Sequence, residues 1–234
     1  MKIIFVFAHP DDESFSSGGT IAKLGQKGIE VKLITATKGE KGQLGIPPIT
    51  TREKAGEVRE QELRKAAKIL GISEIFFLGF IDGELINLQK GEISKKILEI
   101  LEKELPDIVV TFNEEGGSKH PDHIQINKSA TQAFNKYMET AKKHTKLYYT
   151  AIPESFIKKL NKKGFMYTAY GKVQGTPDSI ITTAVDVSET IKIKIEALKC
   201  HLTQKKDWER YLKRLEYKEF KHEFFRLVSE NNFT

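Results

Sequence analysis

The chain has 234 residues, 39% of them hydrophobic and 30% charged, and a formal net charge of +6. This composition excludes a disordered or fibrous protein, and the single cysteine excludes an internal disulfide framework. Because no apolar run approaches the roughly 20 residues of a membrane span and the lysines are spread along the chain, we expect a soluble cytoplasmic protein without a nucleic-acid partner.

Apolar runs typical of buried strands alternate with helical patterns along the first part of the chain. Gly18 and Gly19 predict a turn before a short helix around TIAKLGQKG. Thr50 and Glu53 form a capping box for the next helix, and Gly71 predicts its end. This alternation predicts an α/β fold whose mostly parallel sheet is covered by helices on both faces. The predicted strands are 3–8, 31–37, 74–80 and 107–112, and the later helices are 51–70, 92–105 and 121–141.

The last third of the chain has a different pattern. KLYYTAI and SIITTAVDV predict additional strands at one side of the sheet. A helix from Ser188 carries a stripe of apolar residues that predicts core packing. The charged segment 205–230 is predicted to be helical. We therefore expect one domain over 1–234, with a core of 1–145 and an extension of 146–234 that packs on it. The stripe consists of Ile191, Ile195, Leu198 and Leu202.

Two polar segments follow predicted strands and carry the clearest chemistry. AHPDDE, which contains His9 and Asp12, follows the first strand, and HPDH, which ends in His123, follows the fourth. Both strands end at the carboxyl edge of a parallel sheet, so we expect the two segments to meet there. Two imidazoles and one carboxylate suit a catalytic Zn²⁺ with one position left for water, although the same donors also describe non-haem Fe²⁺ sites. A divalent cation would also offset the repulsion among the carboxylates of HPDDE.

The local spacing predicts where several of these side chains lie. Pro121 suits the first position of a helix, which puts His120 at the N-cap and His123 in the first turn. Adjacent residues in a turn diverge, so Asp11 is expected to face the metal's water while Asp12 faces the metal. Each segment taken singly is also typical of a turn with a helix cap, and the pairing of the two indicates a metal site.

Other candidate sites are weaker. His144 and His222 lie among charged residues and are expected at the surface. The GGT segment lacks the lysine of a phosphate-binding loop, and no G-x-G-x-x-G motif follows the first strand, so a nucleotide site is disfavoured. The sequence leaves assembly into a homo-oligomer open.

Together with TKGEKGQLG, TREKAGEVREQEL, LGFIDGEL and HLTQ, the two polar segments resemble a known family. It comprises the zinc-dependent N-acetylglucosaminyl deacetylases related to the phosphatidylinositol-glycan class L and lincomycin-biosynthesis E proteins. The matching segments span positions 8–204 in the family's order, with Thr203 where the family usually has serine. The resemblance implies a Rossmann-like fold and a hydrolase that acts on a small-molecule N-acetylated amino sugar conjugate.

The resemblance also implies roles for the residues of the two polar segments. His9, Asp12 and His123 would be the zinc ligands. Asp11 would be the general base for the zinc-bound water, and a protonated His120 would stabilise the oxyanion of the acetamide.

Three further positions match the family outside the ligand set. Asp122 would hold the orientation and charge of His120. Arg52 and Asp82 match positions that contact the substrate. Without the family, Arg52 is a residue at a helix start and Asp82 is a turn residue beside Gly83.

Two other functions compete with the deacetylase. A metal-dependent phosphoesterase could use the same histidines with a second metal about 3.5–4 Å away, for which Glu13 and Asp122 are the obvious extra ligands. A non-catalytic metal- or sugar-binding protein on this scaffold is disfavoured, because a base, ligands and an oxyanion donor are all present.

Overall fold

The computed structural model describes residues 1–161, 167–213 and 218–231. The helices are α1 (Asp12–Gln26), α2 (Ala55–Leu70), α3 (Glu92–Glu104), α4 (Pro121–Thr140), α5 (Glu154–Asn161), α6 (Ile191–Cys200) and α7 (Lys205–Leu212). The strands are β1 (Lys2–Phe7), β2 (Glu30–Thr37), β3 (Glu74–Phe80), β4 (Ile108–Thr111), β5 (Lys146–Ala151), β6 (Tyr167–Thr168), β7 (Gly171–Lys172), β8 (Thr183–Asp186) and β9 (His222–Glu230).

The main sheet of the described residues has seven strands in the order β3-β2-β1-β4-β5-β9-β8. The first five are parallel, and β9 and β8 join antiparallel to their neighbours. The α/β fold with a mostly parallel sheet is therefore confirmed. β1 and β4 are buried apolar runs because helices cover both faces of the sheet.

The sheet changes direction between β1 and β4, which are paired neighbours. The chain moves outward through β2 and β3 on one side of β1 and returns through β4 and β5 on the other. Right-handed crossovers then place α1 and α2 on one face and α3 and α4 on the opposite face. Contacts agree with this, because α3 packs on α4 while α1, α2 and α6 pack together. A crevice therefore opens at the carboxyl ends of β1 and β4, where such folds bind ligands.

Two boundaries predicted from local motifs were wrong. Gly18 and Gly19 lie inside α1, which begins at Asp12, because they allow close helix contacts instead of making a turn. The capping box of Thr50 and Glu53 does not form, and α2 begins at Ala55. Residues before it form a turn whose Arg52 guanidinium binds the carbonyl oxygens of the preceding loop.

The last third of the chain adds strands, as expected, but two of its details differ from prediction. The segment 205–230, predicted as helix, contains α7 and then the long strand β9, while residues 214–217 lie outside the described parts. Strand β9 forms because its backbone pairs with both β5 and β8, which helical periodicity does not reveal. The buried face of α6 consists of Lys194, Ala197 and Leu198, whereas Leu202 is exposed. The division into a core and an extension within one domain stays a prediction.

A buried ion pair connects this last third to α1. Lys194 Nζ lies 2.6 Å from Glu223 Oε1 and donates to the Phe15 carbonyl oxygen at 2.9 Å. The Glu223 carboxylate also accepts the backbone N–H groups of Gly19 and Thr20, at 3.0 and 2.7 Å. Both charges are thus compensated by each other and by the backbone of α1, which burial requires. The first turns of α1 are held by residues far away in the sequence.

None of the helices in the described residues is both long and apolar enough to cross a membrane.

The close approach of α1 to the segment after β8 yields a stability prediction. A Cβ atom at Gly19 would lie 2.6 Å from Cβ of Val187, a fully buried residue, so Gly19→Ala should destabilise the fold by about 1–3 kcal/mol. Gly25→Ala in the same helix is the matched control, because its Cβ would meet nothing closer than the Leu70 carbonyl at 3.4 Å. Urea denaturation measures both variants, and equal stabilities would contradict the packing described.

Candidate active site

Two polar loops meet at the carboxyl ends of β1 and β4. The loop after β1 carries His9 and ends at Asp11, the N-cap of α1, whose φ of 102° is unusual for a residue other than glycine. The loop after β4 ends at His120, the N-cap of α4, with Pro121 at the first helical position. The predicted N-cap position of His120 is confirmed, and the two loops, distant in sequence, lie in contact.

Three side chains converge on one point between these loops. His9 Nδ1 lies 3.2 Å from His123 Nε2, and Asp12 carboxylate oxygens lie 3.2 Å from His123 Nε2 and 3.6 Å from His9 Nδ1. Ligand atoms about 2.0–2.2 Å from a tetrahedral zinc are about 3.3–3.6 Å apart. The spacing of these three donors therefore fits one tetrahedral ion, with a fourth position for water.

The hydrogen bonds of the two imidazoles fix which nitrogen atoms carry lone pairs. His123 Nδ1 lies 2.9 Å from the Gly116 carbonyl oxygen, which can only accept, so Nδ1 carries the proton. His9 Nε2 lies 3.0 Å from Asp82 Oδ1 and 3.1 Å from Asp122 Oδ2, so the same reasoning protonates Nε2. The lone pairs of His9 Nδ1 and His123 Nε2 then face each other, an arrangement that a cation between them would stabilise.

Carboxylates surround His9 and set the charge of the site. Burial would lower the pKa of His9, but Asp12, Asp122 and Asp82 outweigh it and raise that pKa well above its ordinary value. Burial lowers the pKa of His123 to about 4, which leaves that imidazole neutral and able to act as a ligand. The environment therefore favours a positive charge at His9, either as a proton or as a metal ion.

Asp11 points to a different partner from its neighbour Asp12. Its Oδ2 lies 3.1 Å from Arg59 Nη2, and the Arg59 guanidinium also donates to the carbonyl oxygens of Pro10 and Gly39, both at 2.6 Å. Burial raises the pKa of Asp11 to about 7 against the lowering effect of Arg59. A bound cation beside Asp12 would lower that pKa. The predicted divergence of Asp11 from Asp12 is therefore observed, and its role as general base stays a prediction.

A second buried pair supports the backbone of Asp11. The Glu13 carboxylate accepts the Asp11 backbone N–H at 3.0 Å and lies 3.1 Å from His201 Nε2. Both Glu13 and His201 are fully buried. Other HLTQ residues brace nearby helices, because Thr203 Oγ1 donates to Glu62 Oε2 at 2.6 Å. His201 and Thr203 therefore lie behind the site, whereas Gln204 lines the cavity.

His120 borders the ligand group without joining its centre. Its Nδ1 accepts the backbone N–H of Asp122 at 3.1 Å, so the ring proton lies on Nε2. Burial, together with the charge of His9, lowers the pKa of His120. The hydrogen bond from Asp122 thus leaves Nε2–H as the donor of this ring, and the protonated form implied by the resemblance stays a prediction. The ring packs edge-on against Tyr170, 4.7 Å away between centroids.

The structure corrects the expected contact of Asp122. Its carboxylate does not bind His120 but contacts His9 Nε2 and accepts the backbone N–H of Gly83 at 2.6 Å. It also accepts the backbone N–H of Leu85 at 3.3 Å, so the loop after β3 holds the carboxylate away from His120. Asp122 orients His120 through its backbone N–H, and its carboxylate acts on that ring through longer-range charge.

The two expected substrate contacts lie in different surroundings. Asp82 is buried, and its oxygen atoms bind His9 Nε2 and the backbone N–H of Lys41, each at 3.0 Å. These bonds support the His9 ring, and Asp82 also lines the cavity, so its contact with substrate stays a prediction. Arg52 is exposed on the cavity wall, where its Nη1 binds the carbonyl oxygens of Glu40 and Gly42. Substrate binding by Arg52 stays a prediction.

Sequence reasoning missed Arg59, and it assigned no role to Glu13 or His201 in supporting Asp11. Arg59 lies in the TREKAGEVREQEL segment, seven residues after Arg52, and is buried although charged. No local signal identifies it, since its partners lie in loops after other strands. The surface positions expected for His144 and His222 are confirmed.

Wider groupings of ligand atoms do not support a two-metal centre. Atoms of His9 also lie within 4.8 Å of those of His120 and His123, and of Asp82 and Asp122. The second group gathers on Nε2 of His9, and metals on opposite nitrogens of one ring would be farther apart than the roughly 3.5–4 Å of two-metal sites. The Glu13 carboxylate is engaged by Ser14 and His201. Among the described residues, a second ligand set at that spacing is therefore absent.

The ligand group opens into a cavity of about 880 Å³. One flank, on the side of β2 and β3, is polar and includes Lys41, Arg52 and Arg59. The other, on the side of β5 and β9, is largely apolar and includes Phe156 and Phe220. The volume is in the upper range for pockets that bury a drug-sized ligand.

Comparison with known proteins shows the family to which the chain belongs. The family model described as PIG-L, GlcNAc-PI de-N-acetylase, matches residues 4–134, more than half of the chain and both polar loops. A 1D-myo-inositol 2-acetamido-2-deoxy-alpha-D-glucopyranoside deacetylase from Acidothermus cellulolyticus is 31% identical over 235 residues, covering 87% of this chain and 79% of the relative. The resemblance noted in the sequence is confirmed.

Solved structures share the fold. N,N'-diacetylchitobiose deacetylase from Pyrococcus horikoshii superposes with a TM-score of 0.73 at 22% identity, covering 97% of this chain and 83% of that one. The 4-carboxy-2-hydroxymuconate hydratase GalB from Pseudomonas putida KT2440 has a TM-score of 0.71 at 19% identity, covering 98% of each chain. Because the fold also occurs in a hydratase, the activity must be argued from the site.

The arrangement of the three ligand atoms predicts that metal binding requires His123. His123→Ala should reduce bound divalent metal to well below one ion per chain, because it removes one of three ligands. His144→Ala, which removes an exposed imidazole paired with Glu230, should leave the metal content unchanged. Elemental analysis after loading and dialysis measures both variants. Full metal content in His123→Ala would contradict the ligand set.

Arg59 should matter more for stability than its neighbour on the same helix. Arg59→Lys replaces a guanidinium that binds Asp11 and two carbonyl oxygens in a buried position, so we expect a loss of about 1–3 kcal/mol. Arg64→Lys, whose side chain is half exposed and pairs with Glu60, should stay within about 0.5 kcal/mol of the parent. Chemical denaturation compares the two, and an Arg59→Lys protein of parental stability would refute the bracing role.

Proposed function

Because the chain belongs to the PIG-L family of GlcNAc-PI de-N-acetylases, we propose that it is a hydrolase that removes the N-acetyl group from an N-acetylglucosamine conjugate. The observation that carries the proposal is the meeting of three metal-ligating side chains with a buried carboxylate and an imidazole N–H donor in one cavity.

We assign His9, Asp12 and His123 as the ligands of a Zn²⁺ ion. Two neutral imidazoles and a carboxylate form a three-ligand set typical of catalytic zinc, and Fe²⁺ is the alternative that the same donors accept. When bound, the ion supplies a Lewis acid that lowers the pKa of water and polarises a carbonyl group. Asp82 and Asp122 hold the His9 ring through Nε2, so that Nδ1 presents its lone pair.

Asp11 is the proposed general base. Its carboxylate takes the proton of the attacking water and afterwards returns it to the leaving amine. Arg59 keeps one oxygen of this carboxylate in place, and Glu13 holds the backbone N–H of Asp11 in its strained conformation. These contacts orient Asp11 away from Asp12, so that base and ligand can act separately.

His120 is the proposed oxyanion donor. As the acetamide carbonyl gains negative charge, the Nε2–H group of His120 donates a hydrogen bond to its oxygen. The N-cap bond from Asp122 keeps the proton on Nε2 throughout.

The substrate class follows from what the relatives have in common. The relative from Acidothermus cellulolyticus is named for an inositol glycoside and the structure from Pyrococcus horikoshii for a chitobiose, both of which contain a 2-acetamido-2-deoxyglucose unit. We infer that the polar flank of this cavity, with Lys41 and Arg52, binds the hydroxyl groups of that sugar.

Replacing the base tests the proposal. Protein loaded with one zinc per chain should release free amine from N-acetylglucosamine conjugates, and Asp11→Asn should lower kcat by about 10²–10⁴ while keeping the metal. Asp186→Asn is the matched control, because that exposed carboxylate bonds to the nearby Ser188 and does not line the cavity. A fluorescent amine reagent and parallel metal analysis provide the readouts.

The outcome separates the competing functions. Full turnover in Asp11→Asn would refute the assigned base. Loaded protein that hydrolyses no conjugate but cleaves phosphate esters would favour the phosphoesterase. Loaded protein that binds the conjugates without turnover would favour a non-catalytic binding protein.

A further inference from the structure

The apolar flank of the cavity has a feature that acetyl removal does not explain. Four aromatic rings run in successive edge-on contact from the first turn of α1 to α5. Phe15 contacts Tyr211 at 5.4 Å between ring centroids, Tyr211 contacts Phe220 at 5.4 Å, and Phe220 contacts Phe156 at 4.9 Å. All four rings line the same cavity as the ligand group. We call this region the aromatic arm.

Aliphatic side chains complete the wall of the aromatic arm. Phe156, Leu160 and Val173 form a buried cluster separate from the sheet core, and Ile152 and Phe220 pack on it partly exposed. Three of the four rings of the arm, those of Phe15, Tyr211 and Phe220, are only half buried. A monomeric protein rarely keeps such a strip open inside a cleft unless something apolar binds there.

The base of the aromatic arm has a charge pair that is compensated internally. Lys194 and Glu223 line the cavity, but they bind each other and the backbone of α1, as described for the fold. Lys194 Nζ also lies 5.3 Å from the centroid of the Tyr211 ring. This pair therefore offers no net charge to an anionic or cationic substituent, in contrast to the cations of the polar flank.

All of the aromatic arm except Phe15 belongs to the part of the chain that the family model does not match. Tyr211, Phe220 and the α5 cluster lie after residue 150, whereas the matched region is 4–134. The named relatives share the removal of an acetyl group and differ in the group that the sugar carries, inositol in one and a second sugar in another. Side chains outside the matched region are therefore expected to distinguish between substrates that differ in that group.

We propose that the aromatic arm binds an apolar aglycone, an alkyl or aryl group on the glycosidic oxygen of the N-acetylglucosamine unit. The inference rests on the proposed function, because the sugar occupies the polar flank and its acetamide the ligand group. The cavity is then matched to an amphipathic glycoside, with polar hydroxyl groups on one side and an apolar substituent on the other. With a polyol aglycone, the rings of the aromatic arm would stay exposed to water.

A pair of synthetic substrates tests the arm on the parent protein. Hexyl 2-acetamido-2-deoxyglucopyranoside should have a kcat/KM at least about tenfold above that of the methyl glycoside, because each buried methylene adds to transition-state binding. The inositol glycoside should resemble the methyl glycoside. Equal values for hexyl and methyl would overturn the proposal. A methyl glycoside whose N-hexanoyl form is preferred to its N-acetyl form would also overturn it, because the arm would then hold the acyl chain.

Variants and a binding measurement separate this inference from the proposed function. Tyr211→Ser and Phe220→Ser should each bring the hexyl-to-methyl ratio toward one, whereas Ile69→Ser, on the exposed side of α2 outside the cavity, should preserve it. Calorimetry on metal-loaded Asp11→Asn compares the affinities for the two glycosides without turnover. Tighter hexyl binding with no amine from the parent enzyme would leave the arm standing and refute the deacetylase. Amine release by the parent enzyme, with equal affinities of Asp11→Asn for the two glycosides, would support the deacetylase and refute the aromatic arm.

Discussion

The structure depends on the concentration of negative charge around one imidazole. Three carboxylates, those of Asp12, Asp82 and Asp122, lie within 3.6 Å of His9 ring nitrogens. Such a cluster is stable in a buried place only if a positive charge is present, because unpaired buried carboxylates are costly. A divalent cation meets this requirement, and the lone pairs of His9 and His123 already face the point where it would bind. Most neighbouring contacts hold that arrangement in place.

The fold brings these charged side chains together at the point where the strand order of the sheet reverses, between β1 and β4. Parallel β1 and β4 end at the same edge, so their two loops meet although more than a hundred residues separate them. The start of α1 is then held from behind in two ways: Glu13 and His201 support the turn of Asp11, and Lys194 and Glu223 hold the following helical turn. These braces come from the last third of the chain, which links the added strands to the chemistry.

The two flanks of the cavity differ in polarity. Polar side chains from the loops after β2 and β3 line one flank, and largely apolar side chains from α5 and the segment before β9 line the other, with Tyr211 of α7 between them and Phe15. The first set belongs to the region that the family shares, and nearly all of the second lies beyond it. In this arrangement, one part of the chain would carry out the proposed reaction and another part would select the aglycone.

Local patterns in the sequence were enough to predict the parallel strands, the N-cap position of His120 and the candidate ligand set, because strand burial and short motif spacings act over a few residues. Tertiary structure decided what depends on distant partners. Arg59 reaches Asp11 across loops, the Asp122 carboxylate is held beside His9 by the loop after β3, and β9 forms by pairing with β5 and β8. Glycines 18 and 19 looked like a turn, yet they are helical because Val187 and Lys194 must pack closely there. These features arise from contacts between segments that are distant in the sequence, so a short stretch of sequence does not reveal them.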